Sequence, residues 1–586
     1  MSDPESEEGE DDVEDIQYGD EQLRDLFLDD DDDDEEFLMF LPDIDAHANL
    51  VFRRVDKRLQ RINFEDTAPQ PGPRHGLDAT ATELDYFQLF FSEAYFQNIC
   101  DYTDKNATRK RQEDPDHNKG KWDKPSKEEM KAFLALKIAL NVQVVVPRED
   151  RIFMTDRNYW VFHLPGVRKL FTRDRYNVLS RYVKFVDPDQ EDGGSKLGKV
   201  KDLLDHVSTK FKQHYNLGQD VSLDEGMIPF KGRLGMKVRM ALKPIKYGIK
   251  VFMLTDSATG YLYKFAIYTG KVEDDDAAAA PLGKTSAVVL SLVDGLEGRG
   301  HKLFTDRYYT SPLLYHNLLM RGMYACGTVM TNRKQFPAEL ILSQADARRA
   351  ERGSYDYMST DKGVVAVRWK DTRPIYMLTT AHDTPLTETT VARTVREDGH
   401  YHKKDIKAVT VVTDYNASMG GCDLNDQMTR LQKGAKQYRW YRRINYKVVE
   451  WCIYNAYILF KDQHQETSGR KYDVLKFRDN LVMQLIGTYR RPIKRDHRGA
   501  DPADCAIRFQ TGDHFPEASE STEHRCVVCI KKHQVYEKAH PNVPAKNNPH
   551  KKSKTVFFCT KCDKYLCIKR NTTCWQDYHK KVEYWR

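Results

Sequence analysis

Leu84, Phe87, Phe91, Tyr95 and Ile99 recur three and four residues apart, which places them on one side of a helix. Ser126 and Glu129 form a capping pair ahead of Met130, Phe133, Leu136 and Leu140, which keep the same period. Residues 80–218 therefore read as mainly helical. Near residue 219 the pattern changes to short runs with strand character: 221–223, 250–255 and 261–268, the last two joined by the turn Asp256-Ser-Ala-Thr-Gly260. A helix over 286–296, a strand over 302–305, a helix over 312–320 and a strand over 323–329 follow, so the order is βββαβαβ. Across 330–405 the regularity lapses, and only 364–369 and 375–380 read as strands. Helix returns over 424–432 and over 441–460, where Ile444, Val448, Trp451 and Asn455 mark one side.

Three antiparallel strands followed by alternating helices and strands is the order of an RNase H-like domain, whose sheet ends can present carboxylates to metal ions. The expectation is an α/β multidomain chain with an RNase H-like core over 219–329 and 406–435, interrupted by an insertion over 330–405. Helical parts over 80–218 and 436–515 flank it, and a cysteine-rich module covers 524–586. Residues 66–78 are rich in Pro and Gly and read as a linker, so 1–79 are expected to form an acidic, disordered N-terminus with ordered structure from about residue 80.

At 586 residues the chain exceeds what one hydrophobic core usually supports. A mean hydropathy of -0.70 and the lack of an apolar run near 18 residues exclude a membrane-spanning reading. The first residues are acidic, with no basic leader, so secretion is not expected and the 11 Cys point to metal rather than disulfides. The net charge of +4 conceals an asymmetry. Residues 1–36 hold 20 Asp or Glu against Arg24 alone, and their net -19 leaves +23 on the rest of the chain. Residues 524–586 hold 15 Lys or Arg and 4 acidic residues. Such a body fits a polyanion, because each cation that neutralises a phosphate releases a counterion.

Candidate chemistry lies at the strand ends. Asp224 falls on the first expected strand and Asp306 at the end of the fourth, and these two strands neighbour each other in the expected topology. Asp423 and Asp426, three apart after a Gly-Gly pair, share one face if a helix starts there. Clustered acids suit Mg²⁺, a hard ion that takes oxygen ligands.

The words Ser222-Leu-Asp-Glu-Gly-Met-Ile-Pro-Phe-Lys-Gly-Arg233, Leu303-Phe-Thr-Asp-Arg-Tyr-Tyr-Thr-Ser311 and Asp414-Tyr-Asn-Ala-Ser-Met-Gly-Gly-Cys-Asp-Leu-Asn-Asp-Gln-Met428 resemble, in order and spacing, the three catalytic blocks of piggyBac-family transposases. The resemblance runs from about residue 80 to the end. It implies that the helical parts form a split dimerisation and DNA-binding domain around the core, and that Asp224, Asp306 and Asp423 are the catalytic triad with Asp426 as a further metal-site acid. Two Mg²⁺ ions, with Mn²⁺ able to substitute, are implied as cofactors. Lys231 and Arg233 in the first block are placed to meet DNA phosphates. Where many family members carry Arg, this chain has Met330, and Arg333 keeps the basic position three residues on. The activity implied is binding of terminal inverted repeats, strand cleavage through hairpin ends and joining to TTAA targets, carried out by a homodimer in the nucleus. The competing expectation is a domesticated, transposon-derived nuclear DNA-binding protein that no longer transposes.

Cys526-x2-Cys529, Cys559-x2-Cys562, Cys567, Cys574 and His579 carry a zinc signal, since each CxxC supplies two thiolates to a tetrahedral ion. Two interleaved zinc ions are expected: Cys526, Cys529 and Cys567 with one His for the first, and Cys559, Cys562, Cys574 and His579 for the second. The position where the family often has its eighth ligand is Arg570, which leaves His524, His533, His540 and His550 as candidates. The basic character of the module suits double-stranded DNA.

Overall fold

The computed structural model describes residues 44–115, 122–143, 152–153, 166–191, 193–240, 245–270, 282–397, 400–430, 439–464, 472–491, 514–519, 523–581 and 583–585. The acidic run at 29–36 and most of the basic run at 490–498 lie outside the described residues. The chain divides into two compact units, Met1–Arg491 and Pro492–Arg586.

In the first unit the described residues build a ten-stranded mixed sheet. Its strands are β1 (Phe52–Arg53), β2 (Asp220–Pro229), β3 (Lys237–Arg239), β4 (Tyr247–Asp256), β5 (Leu262–Ile267), β6 (Lys302–Thr305), β7 (Tyr324–Thr328), β8 (Tyr355–Thr360), β9 (Val365–Lys370) and β10 (Pro374–Thr379). They run in the order β1-β8-β9-β10-β7-β6-β2-β4-β3, with β5 paired to β4. β2, β6 and β7 are mutually parallel neighbours and the remaining pairs are antiparallel. Central position explains the composition of β2: seven of its ten residues are buried, as expected for a strand covered on both faces.

The segment expected as an insertion does not stand apart. β8, β9 and β10 prolong the same sheet through the β10–β7 pairing of Leu378 with Gly327, while β11 (Glu388–Glu397) and β12 (His400–Val409) form a separate two-stranded ribbon. The expected start near residue 80 is also corrected. Phe52 pairs with Thr360, Ala48, Leu50 and Phe64 are buried, Arg61 pairs with Asp383 at 2.8 Å, and the Ile62 amide donates to the Tyr324 hydroxyl at 2.6 Å. This strap is held by single anchors rather than by a periodic face, so no hydrophobic repeat marks it.

Helices supply the second layer. The first expected helix is broken into α1 (Glu83–Gln88) and α2 (Glu93–Glu113), because Ser92 caps a new N-terminus by accepting from the Tyr95 amide. After these come α3 (Lys127–Gln143), α4 (Lys284–Val293), α5 (Pro312–Met320), α6 (Thr410–Ser418), α7 (Gly421–Met428), α8 (Trp440–Gln463) and α9 (Val474–Ile486). On α8, Ile444, Val448, Trp451 and Asn455 are all buried, and Trp451 meets Phe265 of β5 at 4.8 Å. The Asn455 amide exchanges two hydrogen bonds with the backbone of Leu262, at 2.9 and 3.0 Å, and so satisfies the Leu262 N–H and C=O of β5.

Candidate metal centres

The parallel register of β2 and β6 pairs Leu223 with Thr305, so the next residue of each chain segment, Asp224 and Asp306, emerges side by side. Asp224, Glu225 and Asp306 each bring one carboxylate oxygen within 4.8 Å of the others. Local hydrogen bonds fix two of them: the Glu225 amide donates to Asp224 Oδ1 at 2.8 Å, and the Tyr308 amide donates to Asp306 Oδ1 at 2.9 Å. Lys250 of β4 lies 3.5 Å from Glu225, both side chains being buried, and its ammonium rests over the rings of Phe252 and Tyr308. Glu225 and Lys250 were not among the expected site residues. Strict alternation along a strand sends neighbours to opposite faces, which hid Glu225 beside Asp224.

The Gly-Gly-Cys-Asp segment opens α7, which presses on β2 and β4. Cys422 Sγ lies 3.5 Å from the Ser222 carbonyl oxygen and 3.3 Å from that of Met253, and the Asn425 amide donates to the Gly260 carbonyl at 2.9 Å. Asp426 lies over Gly226, its oxygens 3.2 and 3.3 Å from the point a Cβ there would occupy. The four aspartates nevertheless do not form one cage. Asp423 is exposed on α7 and Asp426 pairs with the buried Lys447 at 3.0 Å, and neither belongs to the close group of three. Lys447 also donates to Thr429 Oγ1 at 2.8 Å, and Arg478 of α9 donates to the Met428 carbonyl at 2.9 Å, so the end of α7 is tied to the helical layer.

The candidate DNA contacts differ in setting. Lys231 and Arg233 are exposed just beyond β2. Arg333 instead turns inward and donates to the carbonyls of Arg307 and Tyr308, bracing the turn that carries Asp306.

In the second unit Cys526, Cys529, Cys567 and Cys574 converge, as do His514, Cys559, Cys562 and His579. The interleaved order along the chain is kept, but Cys574 joins the first group rather than the second. The eighth donor is His514, which precedes the expected module. Of the four candidate histidines, His533 is engaged by Glu537 and the His550 carbonyl, and His524, His540 and His550 lie outside both groups. Spacing alone cannot decide which of two interleaved centres takes a cysteine, and His514 has no CxxC beside it to mark it.

Both groups fit zinc. A tetrahedral ion with Zn–S arms of about 2.3 Å has an S···S edge of about 3.8 Å, and Cys529 lies 3.9 Å from Cys567 and 3.7 Å from Cys574. His579 Nδ1 lies 2.8 Å from the Trp575 carbonyl oxygen, to which it can donate, leaving Nε2 to face Cys562 at 3.6 Å; such an outer hydrogen bond orients a metal-binding imidazole. The oxygen-only set of Asp224, Glu225 and Asp306 suits a hard divalent ion instead.

Fold and sites define an α/β protein that offers oxygen ligands at the centre of its sheet and a cross-braced Cys/His module in a separate unit. The chain belongs to the family described as Transposase IS4, whose model matches residues 82–457. It is similar to human PiggyBac transposable element-derived protein 3, with 24% identity over 534 residues that cover 90% of this chain and 81% of that protein. Human PiggyBac transposable element-derived protein 2 is 24% identical over 454 residues, 76% of this chain and 71% of that one. Among solved structures, the chain resembles that of a cryo-EM structure of a piggyBac transposase synaptic complex with hairpin DNA, with a TM-score of 0.58 and 23% identity over 71% of this chain and 83% of that chain. The family resemblance carried by the three motifs is thereby borne out. Among the described residues no helix is long and apolar enough to cross a membrane.

Proposed function

We propose that this protein is a piggyBac-like cut-and-paste DNA transposase that binds terminal inverted repeats, cleaves them by hydrolysis and transesterification through hairpin ends, and joins them to TTAA targets. The observation that carries the reading is the meeting of Asp224 and Glu225, in the middle of β2, with Asp306, one residue past the end of the adjacent parallel strand β6. The strand order β5-β4-β2-β6-β7, with β2, β6 and β7 parallel, supports the RNase H-like description of this core.

Asp224, Glu225 and Asp306 would hold Mg²⁺, or Mn²⁺ in its place, and the family resemblance would add Asp423 and Asp426 of α7 to the site once DNA and metal are bound. Two such ions, when bound, supply Lewis-acid stabilisation of both the attacking and the leaving oxygen of an in-line displacement. The chain's own residues do the positioning. Lys250 holds Glu225, the Glu225 and Tyr308 amides orient Asp224 and Asp306, and Arg333 braces the turn after β6. Lys231 and Arg233, exposed just beyond the end of β2, would be available to neutralise phosphates of DNA bound along this face. The Cys/His module would hold two zinc ions and present its basic surface to the terminal repeats. On this reading the protein would act as a homodimer, because two ends must be held together, and in the nucleus, where such a substrate lies.

Asp306→Ala is expected to abolish metal-dependent cleavage of a donor carrying the matching repeats while leaving end binding nearly unchanged. Equal cleavage by variant and parent would remove the acids from the mechanism. One observation favours the second reading, a domesticated DNA-binding protein: Asp423 is exposed outside the cluster and Asp426 is neutralised by Lys447. Excision in cells separates the two, since only the first reading yields repaired donor sites.

A further inference from the structure

Lys447 of α8 is buried, and its three ammonium protons all have acceptors at the end of α7. It donates to Asp426 Oδ1 at 3.0 Å, to Thr429 Oγ1 at 2.8 Å and to the Thr429 carbonyl at 3.3 Å. The Trp451 ring lies 5.7 Å from the same nitrogen. This fixed cation stands close to the acid site. Asp224 and Gly226 are two apart on β2 and share a face, and Asp426 lies over Gly226, so the carboxylate that Lys447 holds is one strand repeat, about 7 Å, along from Asp224.

A second buried ammonium flanks the group, since Lys250 lies 3.5 Å from Glu225. The carboxylates of Asp224, Glu225, Asp306 and Asp426 thus face two ammonium groups, and four negative charges against two positive leave -2, which one divalent ion balances. Burial makes this balance count, because charges interact more strongly at the low effective dielectric of an interior than in water. At Asp426 the competition is direct: the ammonium already holds the oxygen that a metal ion would need. Lys447 is not the sole tie of α7, for Arg478 holds the Met428 carbonyl and Asn425 the Gly260 carbonyl, each at 2.9 Å.

We propose that Lys447 is a positioning residue that keeps Asp426 out of the metal group, so that the DNA-free protein takes one divalent ion, among Asp224, Glu225 and Asp306. A phosphodiester brings further negative charge to the same place, and a second ion becomes favourable there. The inference rests on the nuclease reading above and adds to it an order of loading, one ion before DNA and the second with it.

The test reads Mn²⁺ by electron paramagnetic resonance in the full chain without DNA, counting only ions that are lost in Asp306→Asn, so that the acidic N-terminus does not contribute. Two Mn²⁺ ions about 3.5–4 Å apart couple their spins and give a spectrum unlike that of a single ion. The parent is expected to show the single-ion spectrum, Lys447→Met the coupled pair, and Lys447→Met/Asp426→Asn the single ion again, a reversal that a merely structural role for Lys447 does not produce. Asp426→Asn alone is expected to leave Mn²⁺ affinity unchanged. A coupled pair in the parent, or a single ion in folded Lys447→Met, would overturn the inference and leave the nuclease reading standing. If Lys447→Met does not fold, Asp426→Asn decides: unchanged affinity upholds the inference, and a loss of about tenfold or more overturns it by making Asp426 a ligand of the free protein. Absence of any Asp306-dependent ion in the parent would overturn the metal site, and with it both the nuclease reading and this inference.

Discussion

Gly421→Ala isolates the contact that seats α7 against the acid site. A Cβ at this position would fall 2.5 Å from Ser222 Oγ, 2.8 Å from the Asp256 carbonyl oxygen and 2.8 Å from Thr255 Oγ1. None of these atoms can move aside cheaply. Ser222 and Thr255 are fully buried and hydrogen-bonded to each other at 2.9 Å, and the Asp256 oxygen accepts from the Gly260 amide at 2.9 Å. The helix must therefore lift, and overpacking of this kind costs about 1–3 kcal/mol. With an unfolding entropy of about 2.1 cal/mol/K per residue, a unit of roughly 450 residues loses only about 1 °C of Tm for each kcal/mol. Catalysis is the more sensitive readout, since a displacement of about 1 Å can cost on the order of 100-fold in rate. Gly421→Ala is expected to lower plasmid nicking in Mn²⁺ by about 10- to 100-fold while Tm by scanning calorimetry falls by about 1–3 °C. Gly420→Ala is the control, because nothing lies within 4 Å of a Cβ there and its φ is -77°. Normal activity and Tm in Gly421→Ala, or equal damage from Gly420→Ala, would refute the close-packed seat of α7.

Further outcomes are expected elsewhere in the chain. His514→Ala is expected to retain about one zinc per chain instead of two by elemental mass spectrometry, and His533→Ala to retain both; the reverse result would contradict the assignment of the eighth ligand. Burial pushes the Glu83 carboxyl up, but hydrogen bonds donated by Tyr472, Asn480 and Gln484 outweigh it and hold the group below its ordinary value of 4.5. A depressed carboxylate contributes stability that is complete above that value and is lost as pH falls through the folded one. Glu83→Gln is therefore expected to flatten the fall of Tm with acidity below pH 4.5, and an unchanged slope would show that these three donors do not stabilise the ionised form.

The legibility of this chain followed the range of its interactions. Helix α8 could be read from Ile444, Val448, Trp451 and Asn455 because a 3.6-residue period is local. The closeness of Asp224 and Asp306 could be read because each acid sits one step past a pair of parallel register partners. Glu225 and Lys250 were hidden, since their meeting depends on a diagonal between β2 and β4, where Glu225 faces Phe252 and Lys250 faces Met227. Lys447 was hidden as well: it stands in a helix 21 residues beyond Asp426, and only packing brings the two together. The zinc ligands were recognisable as a set and not as two centres, because thiolates of identical chemistry are sorted by backbone course alone. The strap before residue 80 carries Phe52, Ile62 and Phe64 too irregularly for any period, although each finds a place on the sheet or beside it.

The proposed chemistry requires, before anything else, a divalent ion among Asp224, Glu225 and Asp306. Anomalous diffraction from crystals of the full chain soaked in Mn²⁺ measures this without any assumption about the DNA sequence. The predicted result is a peak bounded by oxygens of these three carboxylates, at about the 2.1 Å typical of hard six-coordinate ions, and its loss in Asp306→Asn. A cluster that stays empty while Mn²⁺ binds elsewhere, or a peak unaffected by Asp306→Asn, would contradict it.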